Sequence, residues 1–111
     1  MNIYDLIEEL LAPLEVTTGV IKVIDPPETY ITYFQYDEGS AGFVDDKEAR
    51  TIYFIQVDVW SKIDTFSLGK QVQNILTENG FIRRSVFHDY EEDTELFRQG
   101  MRFYYTQNNN N

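Results

Sequence analysis

Arg50-Thr51-Ile52-Tyr53-Phe54-Ile55-Gln56-Val57-Asp58-Val59-Trp60 reads as one long β-strand. Its odd positions, Thr51, Tyr53, Ile55, Val57 and Val59, are β-branched or aromatic, the types that suit a pleated, buried surface. Its even positions begin apolar with Ile52 and Phe54, turn polar at Gln56 and Asp58, and end on Trp60. One face is dry throughout and the other is dry for half its length, so the strand needs two covers. Helices of the same chain can supply one. A chain of 111 residues has few elements left for the second, which points outward, to a partner or to copies of itself.

Upstream, residues 30–36 read as a strand with Ile31 and Tyr33 opposite Tyr30, Phe34 and Tyr36, again apolar on both sides. Residues 37–48 carry two glycines and many charges and read as a mobile hairpin loop. An apolar pair, Phe43-Val44, sits inside that loop beside Asp45-Asp46. Such a pair is either tucked onto the body or waiting for a partner. Before these lies a short strand at residues 20–24, preceded by a turn at Thr17-Thr18-Gly19 and followed by the rigid break Asp25-Pro26-Pro27. The chain starts with an amphipathic helix: Ile3, Leu6, Ile7, Leu10, Leu11 and Leu14 share one stripe, Asn2 stands at the N-cap position, and Pro13 ends the helix near Leu11 and Ala12.

Downstream, Asp64 caps a second amphipathic helix over residues 66–79, with Leu68, Val72, Ile75 and Leu76 on its apolar side and Asn79-Gly80 as its stop. Strands at 81–90 and 96–106 form a closing hairpin around Glu91-Glu92-Asp93-Thr94. In the last strand Phe97, Met101, Phe103 and Tyr105 face one way and Arg98, Arg102 and Thr106 the other. The order is helix, three strands, helix, two strands. The fold class expected is α+β: a mostly antiparallel sheet of four to five strands with two helices packed on one face. Residues 1–107 form a single domain, and residues 108–111, with no apolar anchor, are expected to be a disordered tail.

Composition narrows the partners. Nineteen acidic residues against nine basic ones give a net charge of −10, and the basic residues are scattered, with Arg83-Arg84 the one adjacent pair. Phosphate-backbone binding needs clustered Lys and Arg, so specific nucleic-acid binding is not expected. Residues 1–48 hold eleven acids and two bases, a charge that repels DNA and anionic membranes. No apolar run reaches spanning length and the N-terminus lacks the basic region of a signal peptide, so no membrane association is expected. Without cysteine there is neither a disulfide nor a thiolate metal site. Aromatic residues make up 15% of the chain, with eight Tyr and eight Phe, an excess that fits both strands and assembly interfaces.

The search for chemistry finds little. His88 is the one histidine, and its neighbour Asp89 points to the opposite face of a strand, so neither a triad nor a metal site forms from them. Asp89, Glu91, Glu92, Asp93 and Glu95 crowd five carboxylates into seven residues, but a calcium loop needs a glycine bend and a closing bidentate Glu. They read as a solvated turn. Gly39-Ser40-Ala41-Gly42 lacks the Lys and Ser/Thr of a phosphate loop. An enzyme is not expected, and no catalytic, cofactor-binding or metal-binding residues are assigned. The remaining candidate is a surface: Tyr30, Phe34, Tyr36, Ile52, Phe54 and Trp60 as a self-association patch.

The layout resembles the tail completion or tail terminator proteins, also called tail-to-head joining proteins, of long-tailed bacteriophages and prophages. The residues that carry the resemblance are the N-terminal amphipathic helix, the aromatic strand Tyr30-Ile31-Thr32-Tyr33-Phe34, the acidic loop, the strand ending Gln56-Val57-Asp58-Val59-Trp60-Ser61, and the closing Leu96-Phe97-Arg98-Gln99-Gly100-Met101-Arg102-Phe103. The four terminal asparagines fall outside it. The resemblance implies a small sheet with helices on one side and a hexameric ring that caps the tail tube and joins it to the head connector. It also implies a place in the host cytoplasm during assembly and then at the head–tail interface of the virion. Phe43, Val44, Asp45 and Asp46 are nominated as the loop that docks the tube or connector, and the aromatic strand residues as ring contacts. The competing reading is a small acidic adaptor or inhibitor that binds a basic protein as a monomer or dimer, with its aromatic strands covered internally.

Overall fold

The first helix forms because its start and stop are both written into the chain. Asn2 has an extended backbone and its Oδ1 accepts the Asp5 N–H at 2.8 Å, which satisfies one of the amides a helix start leaves unpaired. Helix α1 (Ile3–Leu11) buries Ile3, Ile7 and Leu11, one residue per turn on a single stripe. Pro13 lies in the 3-10 turn Ala12–Leu14 that follows, and Glu15 closes that turn in the left-handed region at φ 56°. The computed structural model describes residues 2–44 and 47–109, with the backbone alone for residues 41–44 and 47–49.

Five strands make one sheet: β1 (Thr17–Val20), β2 (Thr29–Val44), β3 (Lys47–Ser61), β4 (Ile82–Glu91) and β5 (Leu96–Asn108), in the order β1-β2-β3-β5-β4. Helix α2 (Phe66–Glu78) lies between β3 and β4 in sequence. The register is set by the dry face. Tyr33 pairs with Val57, Val57 with Met101, and Met101 with Val86. Ile31, Tyr33, Ile55, Val57, Val59, Met101 and Phe103 meet Ile7 and Leu11 of α1 and Val72 and Leu76 of α2 in one core. Period-two alternation in β3 gives the odd residues to the core, settling which of its two sides meets the helices.

Several expectations need correction. The fold is α+β, but the sheet is mixed: β1 pairs with β2 in parallel, while the other pairings are antiparallel. The helices are not all laid on one face as a plain two-helix layer; the added 3-10 turn after α1 has no buried residue. Thr17-Thr18-Gly19 is strand rather than turn, and the strand expected at 20–24 is where the chain leaves the sheet. Gly19 serves a close approach here, since a Cβ on it would overlap the Lys22 carbonyl. The turning itself falls to Ile21 and Asp25, at φ 69° and 49°.

In the charged segment expected to be a loop, residues 37–44 and 47–48 are strand. Strands β2 and β3 run on as a two-stranded ribbon in which Phe43 pairs with Glu48 and Val44 with Lys47. Among the described residues the last β3–β5 pair is Arg50 with Asn108, so no third strand pairs with the upper part of the ribbon there. Strand β5 reaches Asn108, beyond the end expected for it, and Asn109 Nδ2 donates to Thr51 Oγ1 at 2.8 Å. At α2 the capping position belongs to Thr65, although Asp64 Oδ1 does accept the Phe66 N–H at 3.1 Å. Gly80 follows Asn79 at φ 93°, the left-handed stop expected there. Among the described residues no helix is long and apolar enough to cross a membrane.

Candidate functional site

The even residues of β3 face away from the core, and the sheet gathers every nominated aromatic there. Tyr30 pairs with Trp60 and Phe34 with Gln56. A bulge between Gln35 and Asp37 inserts Tyr36 as an extra residue, and its ring still reaches the same face, 6.0 Å from Phe54. Tyr30 stacks on Trp60 at 6.0 Å with planes 11° apart. Ile52, opposite Gly39, completes the set. The six residues proposed for self-association thus share one surface, half-buried by one another, with Tyr36 38% exposed.

Sequence reading missed what lies between them. Arg84, Arg98 and Arg102 converge on this face, brought there by the β3–β5–β4 register that sets Arg98 beside Trp60 and Arg102 beside Gln56 and Ser85. Each guanidinium lies over a ring: Arg98 at 5.1 Å from both Trp60 and Phe87, Arg102 at 4.9 Å from Tyr36, and Arg84 at 5.7 Å from Phe54. Folded proteins show roughly one strong cation–π contact per 70–80 residues, so this clustering on one face is well above the usual density. The alternation of Arg98 and Arg102 along β5 was the available signal, but sequence alone does not give the strand order that puts Arg84 beside them.

Polar groups lock the centre of the face. Asp58, 3% exposed, accepts from Arg98 Nε at 3.0 Å and from Gln56 Nε2 at 3.1 Å, and Gln56 Oε1 accepts from Arg102 Nε at 3.2 Å. Trp60 Nε1 donates to Thr32 Oγ1 at 3.0 Å. A buried carboxylate is tolerable only when paired and hydrogen-bonded, and this one is both. Arg98 and Arg102 each give their Nε–H to this network. Gly100, level with Asp58 and Phe87, lets the Phe87 ring lie flat on the sheet, since a Cβ there would overlap the ring. The Tyr30 hydroxyl titrates above its usual range because of burial and, second, the Glu91 charge. Among the described residues, the ring contacts and side-chain hydrogen bonds of this face join residues of the face to one another, and the buried residues of α1 and α2 belong to the core with the odd residues of β3.

No protein-family model matches this chain, and no curated protein matches it.

The other nominated site is less completely described. Phe43 and Val44 end strand β2 as part of the ribbon backbone, and Asp45 and Asp46 lie outside the described residues. His88 packs its ring against Phe66 at 5.0 Å on the helix side of the sheet. Among the described residues no group of three or more His, Asp or Glu converges as a metal site, and the Glu91–Thr94 turn is held by a Thr94 Oγ1–Glu91 Oε1 hydrogen bond at 3.1 Å.

Proposed function

We propose that this protein is a structural assembly protein that caps a phage tail tube and joins it to the head connector, working as a ring of copies, as the sequence resemblance implies. The observation that supports this reading best is the uncovered sheet face. A self-contained adaptor would cover its aromatic strands with its own elements. Here Tyr30, Phe34, Tyr36, Ile52, Phe54 and Trp60 lie together on the side of the sheet away from the core, which suits contact with neighbouring copies. A contact between unlike surfaces closes into a ring when the rotation between neighbours permits.

The ribbon formed by the end of β2 and the start of β3 fits the second half of the role. Two-stranded ribbons are marginal alone in water, and this one carries Phe43 and Val44 in its sequence beside Asp45 and Asp46. It is assigned to docking on the tube or the connector, at the head–tail junction of the virion. The test is light-scattering mass across a concentration series, with and without purified tail tubes, followed by electron microscopy. Rings on tube ends support the reading. Protein that stays monomeric or dimeric and leaves tube ends bare refutes it in favour of the adaptor. Phe43→Ser with Val44→Ser is expected to abolish joining while leaving the fold intact; joining at wild-type level would remove the docking assignment.

A further inference from the structure

The self-association proposed above leaves open which surface of a neighbour meets the uncovered sheet face, and the charges on the chain point to an answer. The face presents Arg84, Arg98 and Arg102, while the molecule as a whole carries −10. Arg98 and Arg102 use their Nε atoms within the face, and among the described residues Arg98–Asp58 is the sole ion pair.

The densest acidic feature in the described chain is the β4–β5 turn. Asp89, Glu92, Asp93 and Glu95 are exposed there and Glu91 is half-exposed. None of the five forms an ion pair among the described residues. Beside them the Tyr90 and Phe97 rings stack at 4.9 Å, 44% and 40% exposed. The turn therefore offers carboxylates next to an apolar pair, and the sheet face offers guanidiniums next to aromatic rings.

Asp89 stands opposite Arg98 in the β4–β5 register and borders the face within one chain, but the tip of the turn, Glu92 and Asp93, does not reach Arg84 and Arg102. Arg102 is six residues along β5 from Leu96, where the turn ends, which is roughly 20 Å at the rise of a strand. Arg84 lies at the same level, beside Ser85, the cross-strand partner of Arg102. Both pairs sit on strands of one sheet, so Glu92 and Asp93 cannot close onto Arg84 and Arg102 of the same chain.

We propose that the arginine–aromatic face receives the acidic β4–β5 turn of a second copy. The contact is head-to-tail, because the two surfaces differ, and it repeats from copy to copy. At physiological ionic strength the screening length is about 8 Å, so the local pairing of unlike charges outweighs the distant repulsion between two acidic molecules. Salt weakens the contact for the same reason.

The test is a charge swap. Arg84→Glu with Arg102→Glu reverses the face, and Glu92→Lys with Asp93→Lys reverses the turn. All four residues are exposed, but Arg102→Glu also removes the donor to Gln56 Oε1, so association is compared at a temperature where the unfolding curve of each variant shows it folded. Each reversal alone is expected to weaken self-association by about tenfold or more, because like charges then face each other. The chain carrying all four changes is expected to recover to within about threefold of the wild type. Recovery supports the pairing. Face-reversed protein that associates as the wild type does, or a fourfold variant as weak as the single reversals, overturns it. If the wild type still caps tail tubes in that case, the function proposed above stands and only this contact falls; if it neither associates nor caps, both fall. A polythymidine oligonucleotide is the control ligand: binding lost on face reversal, with self-association unchanged, assigns the face to a nucleic acid and overturns the proposal.

Discussion

Gly100→Ala places a methyl group where the Phe87 ring rests. Gly100 is buried in β5 between Asp58 on one side and Phe87 on the other, and an added Cβ overlaps the ring. The ring must lift off the sheet, and it then loses its place 5.1 Å from the Arg98 guanidinium. Overpacking of this kind costs about 1–3 kcal/mol. Phe87 stands on an edge strand and is 37% exposed, so it has room to move and the cost falls in the lower half of that range. Replacing a strand glycine by alanine returns about 0.5–1 kcal/mol through the unfolded chain. The net expected loss is about 1 kcal/mol, read by urea unfolding with an unchanged slope. The decisive comparison is a double-mutant cycle. In a Phe87→Ala background the methyl meets no ring, and Gly100→Ala is expected to be neutral or stabilising, giving a coupling energy of about 1–2 kcal/mol. If Gly100→Ala costs the same with and without the ring, the glycine is not there to seat Phe87 and the reasoning fails.

Three further outcomes follow from the same geometry. Asp58→Ala leaves Arg98 and the Gln56 amide without their acceptor; because Arg98 reaches solvent, the expected loss is about 3 kcal/mol, the low end for breaking a buried pair, seen as a melting temperature lower by roughly 10 °C. A drop of under two degrees would show that the network contributes little. Tyr33 donates to Glu8 Oε2 at 2.5 Å, and burial together with that carboxylate holds its hydroxyl pKa above the ordinary 10.0. Its contribution is fully present below pH 10 and is lost as pH rises, since the unfolded chain ionises first. The stability advantage of the wild type over Tyr33→Phe should therefore shrink above pH 10, by up to about 1.4 kcal/mol per pH unit, and a constant difference from pH 8 to 11 would contradict this. Gly69→Ala in α2 would normally gain about 1 kcal/mol of helix propensity. Here the new methyl overlaps the Gln99 amide, so thermal unfolding should show a loss that reverses in a Gln99→Ala background; a gain in both backgrounds would rule the overlap out.

What the sequence reveals and what it hides divide along physical lines. The two sides of β3 are legible because burial imposes a period of two, and the same rule places Tyr30 and Phe34 with Trp60. Helix α1 is legible because Asn2 and Pro13 mark its ends chemically. Strand β1 is not, since Thr17-Thr18-Gly19 has the composition of a turn and the real turns use Ile21 and Asp25 at positive φ, where nothing in their side chains announces it. The end of β2, from Asp37 to Val44, hides for a related reason: two glycines and two acidic residues stand there, so its composition looks like that of a loop. The arginine–aromatic face is half legible. Each strand declares its own alternation, but which strand lies beside which is a long-range fact, and only the order β3-β5-β4 brings Arg84 and Phe87 to Arg98 and Trp60.

Trp60 is the single tryptophan of the chain and it sits within the uncovered face, so its fluorescence reports directly on the central claim that this face is an assembly surface. The measurement is iodide and acrylamide quenching of Trp60 across a concentration series, with mass followed by light scattering on the same samples. The account predicts that quenching falls as mass rises, because neighbouring copies exclude the quencher from the face. Mass that rises while quenching stays at the value of the free protein would contradict it and move the contact to another surface.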